Sequence, residues 1–248
     1  MPSTHLISSS DVRFFKNYGL RVVEMLDPAP NESILDLGCG NGELSALLEE
    51  RGAKVTGVDI DAAAVTLARN RGIRAIVQDA QSLEFRGEFD AAFSQSAIHW
   101  MPEADRVFAG VWRALKPGGR FVAETGAHLN IASIHTALIA TLMHFDAPKE
   151  YIPRFYFPAA DECCDLLEAS GFSVTTIQTS VRPIPLPRGI RAWFDMFAKP
   201  FFDTIAEGRR SEAMTYAEQL LAPVLCTSRG DWIADYVHLR FKAKKKPL

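Results

Sequence analysis

A chain of 248 residues with 48% apolar and 23% charged side chains is globular and long enough to bury one sizeable α/β core with additions. Its 27 basic against 30 acidic residues leave a net charge of −3, which gives no general attraction to nucleic acid. Four cysteines without C-x-x-C pairing or metal-ligand spacing, no charged leader before an apolar stretch and no apolar run of membrane-spanning length predict a soluble cytoplasmic protein with no metal and no membrane partner.

Residues 1–10 are polar and serine-rich, which predicts a frayed start. Val12, Phe15, Leu20, Val23 and Leu26 recur at near-helical intervals and predict a helix over 11–26. Ile34 to Leu37 is short and β-prone, and Leu44, Leu47 and Leu48 give helical spacing over 43–51. Gly38, Gly40 and Gly42 therefore stand at a strand-to-helix turn, where positive φ and close backbone approach to a ligand are available to glycine. The next strand, 54–58, ends in Asp59, an acid about 20 residues beyond the glycines, placed to accept both hydroxyls of a ribose. That layout is an adenosine-cofactor site and fits NAD and S-adenosylmethionine alike.

Glycine spacing separates the two. A dinucleotide site wants G-x-G-x-x-G with the pyrophosphate at the helix amino end. Here the pattern is G-x-G-x-G followed by Glu43, and a carboxylate at the helix start repels a pyrophosphate while tolerating a sulfonium and an ammonium. The expected cofactor is S-adenosylmethionine.

Strand and helix signals then alternate over 61–70, 73–77, 89–93, 103–115 and 119–124, which predicts a mostly parallel sheet with helices on both faces. Right-handed crossovers place the ends at Gly38, Asp59, Asp79 and Ser94 along one sheet edge. Past Thr125 the pattern breaks. A helix is expected over 129–145, a proline- and aromatic-rich connection over 148–158, a helix over 160–170 stopped by Gly171, and a strand over 172–180. Three alternating prolines from Pro183 to Pro187 cannot join a central ladder and predict an exit segment. Two helical stretches follow in 189–225, then a last strand over 232–241 and a basic run, Lys242 to Lys246, expected to be a solvated end.

Leu35-Asp36-Leu37-Gly38-Cys39-Gly40-Asn41-Gly42 resembles motif I of the class I S-adenosylmethionine-dependent methyltransferases. Val58-Asp59-Ile60-Asp61 resembles the family's ribose-binding strand end, and Val77-Gln78-Asp79-Ala80 its adenine-binding loop. Phe89 to Ser96 resembles its fourth strand, and Arg113 to Phe121 its helix-turn-strand element. These motifs, in register, carry a resemblance over roughly residues 14–125. Ser96 to Met101 is similar to the trans-aconitate methyltransferase group and its small-molecule relatives; the quinone-biosynthesis C-methyltransferases share much of this.

The resemblance implies a Rossmann-like, seven-stranded, mostly parallel sheet with an antiparallel C-terminal strand and helical insertions forming a cap. One methyltransferase domain is expected over 1–248, with the cofactor-binding core at 11–125 and the insertions, 126–158 and 189–230, covering the substrate cleft. Asp36 would bond backbone amides or reach the cofactor's ammonium; Gly38, Cys39, Gly40 and Gly42 would line the turn; Asp59 would hold the ribose. Ile60 would pack on the adenine face, and Asp79 with Ala80 would read the adenine edge. Gln95 and Ser96 would meet the methionine part and the substrate. His99 is the catalytic candidate, positioning or deprotonating an acceptor. Arg154 and Arg191 could clamp a carboxylate or face solvent, surface arginine being the default reading.

The expected activity is methyl transfer to a small molecule by in-line displacement. A carboxylate acceptor is favoured and needs no base; O-, N- or C-acceptors would. The rival readings are a non-catalytic cofactor-binding protein on the same fold and a nicotinamide-dependent oxidoreductase, which lacks its third glycine here.

Overall fold

A computed structural model describes residues 19–147 and 154–246. Seven strands form one sheet: β1 (Ser33–Leu37), β2 (Lys54–Asp59), β3 (Arg74–Val77), β4 (Phe89–Gln95), β5 (Leu115–Gly126), β6 (Phe172–Pro185) and β7 (Ile233–Lys245), in the order β3-β2-β1-β4-β5-β7-β6. β1 pairs in parallel with β2 and β4, β2 with β3, and β4 with β5, whereas β7 runs antiparallel to β5. Strand order reverses between β1 and β4. An open α/β sheet takes its ligand at such a switch point, beyond the carboxyl ends of the strands.

Local chemistry explains these elements. Four of the five β1 residues are buried, the near-continuous apolar run of a strand covered on both faces. Helix α1 (19–26) places Val22, Val23 and Leu26 in a core with Leu48 of α2 (Glu43–Glu50), Ile34, Val55, Phe93 and Val122. Helix α3 (Ala62–Asn70) starts where the Asp61 carboxylate accepts from Ala63 N at 2.8 Å, an N-cap worth about 1 kcal/mol. Helix α4 (Ala104–Ala114) carries Val107, Phe108, Val111 and Ala114 on one stripe. Its Phe108 ring meets Phe121 of β5 at 6.0 Å and Phe241 of β7 at 5.9 Å, both edge-on. Helix α5 (Ala132–His144) follows β5, and α6 (Ala160–Ala169) precedes β6.

Among the described residues the chain divides into two compact units: one holds 19–128, 155–179 and 238–246, the other 129–147, 154 and 180–237. The second contains α5, α7 (Gly189–Trp193), a π-turn (Phe194–Ala198), α8 (Lys199–Phe202) and α9 (Arg210–Leu225). Within it His144 stacks on Tyr216 at 4.2 Å, and the Arg209 guanidinium lies 4.4 Å over the Phe145 ring.

Several details differ from the sequence reading. The expected insertions were 126–158 and 189–230, but Phe155 to Pro158 belong to the first unit: Tyr156 N donates to His99 O at 3.0 Å and His128 N to Pro158 O at 2.8 Å. Pro183 and Pro185 are not an exit segment. They continue β6, an edge strand of the sheet, where a missing N–H costs no ladder bond. The first helical stretch of 189–225 is interrupted by the π-turn before Pro200. Lys242 to Lys245 lie within β7: Lys245 is buried, its ammonium donates to Trp112 O and Leu115 O at 2.7 Å each, and it sits 4.0 Å over the Trp112 ring. Carbonyls and an indole face replace its water. Residues 11–18 of the expected first helix, and 1–10 before it, lie outside the described residues. Among the described residues no helix is long and apolar enough to cross a membrane, and no group of three or more His, Cys, Asp or Glu could hold a metal.

Candidate active site

The glycine turn follows β1. Gly38 has φ +69°, and a Cβ there would stand 2.2 Å from Ala97 Cβ; at Gly42, φ +80°, it would meet Ala68 Cβ at 2.9 Å. Packing forbids a side chain at both. Gly40 differs: at φ +54° its Cβ would meet nothing within 4 Å, so this part of the turn borders open space.

Four of the five amides of the turn are already engaged. Gly38 N and Cys39 N donate to Val58 O at 2.8 and 3.1 Å, Gly40 N to Asp59 Oδ2 at 2.9 Å, and Gly42 N to Cys39 O at 3.0 Å. Pyrophosphate recognition requires such amides to be free. These bonds weigh against a phosphate cradle more than the Glu43 charge does, because Glu43 pairs with Arg71 at 3.3 Å. Cys39 turns its thiol into the core among Val65, Ala68, Ile73 and Ala75, where burial pushes the thiol's pKa up; only its backbone faces the turn.

Two acids lie under the turn. Asp36 is 2% exposed, and its Oδ2 accepts from Ser45 Oγ at 2.6 Å rather than from backbone amides. Burial, with Asp59 nearby adding to it, pushes the Asp36 carboxyl up to about 7 against the Ser45 hydrogen bond. Among the described residues neither Asp36 nor Asp59 is paired with a lysine or arginine. Asp59 accepts from Gly40 N and Asp61 N at 2.9 Å each. A carboxylate has about four acceptor sites, so roughly two remain, the number vicinal hydroxyls use.

Ile60, the next residue, is 60% exposed, and Val77, in register with Asp59 on β3, is 47% exposed. Two apolar side chains thus stand open at the carboxyl ends of β2 and β3. In the sequence Val77 reads only as the start of the segment resembling the adenine-binding loop, with no contact of its own, because a valine ending a strand looks like core. Asp79 caps the turn Ala80–Ser82, accepting from Gln81 N at 2.9 Å and Gln81 Nε2 at 3.2 Å, and the Ala80 side chain is buried.

At the end of β4, Ser96 is exposed with φ +53°. Gln95 Nε2 donates to Ser96 Oγ at 3.0 Å and to Glu124 Oε1 at 3.1 Å. Glu124 was missed. It is 1% exposed on β5, where Arg240 Nε donates to its Oε2 at 2.9 Å and His238 Nδ1 lies 3.5 Å from its Oε1. Burial opposes its ionisation, but hydrogen bonds from His238 and Gln95 and the charges of His238 and Arg240 hold the carboxyl down at about 2. The only sequence signal was an acid inside an apolar strand, unreadable until the β5–β7 register places Arg240 opposite it.

His99 lies in the turn Ile98–Trp100. Its Nδ1 accepts from Gly126 N at 3.3 Å and lies 3.2 Å from Thr125 Oγ1. An amide can only donate, so Nδ1 is unprotonated and the ring proton is assigned to Nε2. Trp100 and Phe157 flank the ring at 5.6 and 5.8 Å; burial, then the charge of His238, lower its pKa to about 3. At neutral pH His99 is an uncharged donor through Nε2.

The family described as "Methyltransferase domain" matches residues 35–123. The chain is 32% identical over 237 residues to an uncharacterized methyltransferase, C70.08c, of Schizosaccharomyces pombe, covering 91% of each protein. It is 30% identical over 184 residues to the trans-aconitate 2-methyltransferase of Deinococcus radiodurans, covering 68% of this chain and 70% of that one. The chain belongs to the methyltransferases. Its cofactor is S-adenosylmethionine. Over a shorter stretch, 121 residues, it is 37% identical to the 18S rRNA (guanine(1575)-N(7))-methyltransferase of Saccharomyces cerevisiae, 42% of this chain and 44% of that one.

The residues fit that cofactor. A methyltransferase binding a sulfonium and an ammonium needs anionic surface and no phosphate cradle, and here two acids lie without a lysine or arginine partner among the described residues, beside a turn with four of its five amides engaged. Gly40 opens onto space, Asp59 keeps acceptor capacity, and Ile60 and Val77 offer apolar surface for a flat ring. Arg191 donates to Glu218 at 2.6 Å and to Thr215 Oγ1 at 2.7 Å within the second unit.

Proposed function

We propose that this enzyme methylates a carboxylate of a small-molecule acceptor, not a nucleic acid. When bound, S-adenosylmethionine supplies an electrophilic methyl group on a sulfonium, already an excellent leaving group. The chain's own part is alignment and exclusion of water. Asp59 would hold the ribose hydroxyls, Ile60 the adenine face with Asp79 and Ala80 at its edge, and Gly38, Cys39, Gly40 and Gly42 the backbone wall. Asp36 would face the cationic end, with Gln95 and Ser96 near the methionine part.

The observation that carries the acceptor class is the state of His99. A hydroxyl, amine or carbon acid must lose a proton, and a neutral imidazole with its proton on Nε2 is a donor there, not a base. A carboxylate needs no deprotonation, and His99 Nε2–H would orient one by a hydrogen bond. The relative that methylates trans-aconitate acts on a small carboxylate, which supports the same class here. Net charge of −3 weighs against an RNA acceptor, although one partial relative is an rRNA enzyme.

The test is a panel of small di- and tricarboxylates, phenols, amines and structured RNA, with transfer of labelled methyl followed by mass spectrometry and by ester lability in mild base. Base-labile methyl on a carboxylate alone is the expected result. Turnover on RNA or on a carbon acid would overturn the acceptor class, and tight cofactor binding without turnover on any acceptor would favour a non-catalytic protein.

A further inference from the structure

An amide side chain can be built either way round, and here chemistry decides. Glu124 is buried and ionised, so its oxygens only accept, and the group of Gln95 facing them at 3.1 Å must be its NH2. Gln95 Oε1 is then forced in the other direction. It is buried and has no hydrogen-bond partner among the described residues, a state that is costly unless a ligand supplies the donor. Gln95 ends β4, and the β1–β4 register, with Asp36 opposite Phe93, carries that end to the level of the glycine turn. An unpaired acceptor therefore stands at the switch point, beside the acids that await a cation.

We propose that Glu124, clamped by Arg240, is a positioning residue that sets the Gln95 amide so that Oε1 accepts a hydrogen bond from the amino-acid end of the bound cofactor. The inference rests on the cofactor contact proposed above for Gln95. Glu124 itself never touches the ligand. Its two oxygens divide the work: Oε2 takes the Arg240 guanidinium, and Oε1 takes Gln95 Nε2 with His238 at its side. Without that charge the amide is free to turn over and offer its NH2 to an ammonium, which repels it.

The test is a double-mutant cycle read by calorimetric titration with S-adenosylhomocysteine, which keeps the amino-acid end. Glu124→Gln and Gln95→Met should each weaken binding about tenfold, and the double variant should bind no more weakly than Gln95→Met alone. Thermal unfolding of each variant reports any folding loss separately, since a half-buried Arg240 left unpaired destabilises the sheet. If Glu124→Gln does not fold, Arg240→Gln takes its place and should also lose its effect in the Gln95→Met background. Losses that multiply in the double variant, or unchanged binding by Gln95→Met, would overturn the proposal. Failure of the unaltered protein to bind would instead overturn the cofactor reading beneath it.

Discussion

Asp36 and Asp59 show how burial assigns different tasks to identical side chains. Asp59 is held by two amides, so removing its carboxylate would delete the proposed ribose acceptor and leave Gly40 N and Asp61 N unpaired. Asp59→Ala should weaken S-adenosylmethionine binding about 100-fold, measured by calorimetry. Asp36, raised to about 7, holds a proton in the free folded protein that the unfolded chain releases near pH 4. Its contribution to stability is therefore full below about pH 4 and lost as pH rises through about 7, at most about 4 kcal/mol, and denaturant unfolding of Asp36→Asn should lack that decline. His99→Gln should lower kcat/KM by only about tenfold with no new pH dependence between pH 6 and 9, because no general base is lost; a drop of about 1,000-fold would assign it that role. Asp36, Asp59 and the glycines were legible because a cofactor fixes residue types at short spacing. Glu124 and the Nδ1 contacts of His99 were not, since both depend on partners from β5 and β7, distant in sequence.

At the scale of elements, the turn between β1 and α2 separates folding from binding. Gly38→Ala puts a methyl group 2.2 Å from Ala97 Cβ at positive φ and should destabilise the protein by about 2–4 kcal/mol. Gly40→Ala meets nothing within 4 Å, so it should unfold with a loss of only about 1–2 kcal/mol from the φ while losing cofactor affinity, because its methyl group fills ligand space. Equal stability losses would contradict the assignment. The central strands were read from sequence to within a few residues, since strands buried on both faces must be apolar runs. The edge was misread. Pro183 and Pro185 signalled an interruption, whereas an edge strand has one side free of ladder bonds and accommodates them. Lys245 likewise reads as solvated in any local window, and only the fold supplies its carbonyl and indole partners.

For the whole molecule, the alternation of strands and helices up to Thr125 fixes a sheet with a switch point between β1 and β4, where Asp36 and Asp59 stand without a lysine or arginine partner among the described residues. Residues 129–147, 154 and 180–237 form a compact unit of their own whose helices follow no family motif, so acceptor identity could not be read from them. The claim that joins residues, sheet and activity is that this anionic switch point selects a cationic adenosine cofactor. The most direct test is calorimetric titration of the protein and of Asp36→Asn with S-adenosylmethionine and with NADH between pH 5.5 and 8. The account predicts no NADH binding, and S-adenosylmethionine affinity that rises with pH through about 7 in the unaltered protein and stays level in the variant. Binding of NADH, or S-adenosylmethionine affinity independent of both pH and Asp36, would contradict it.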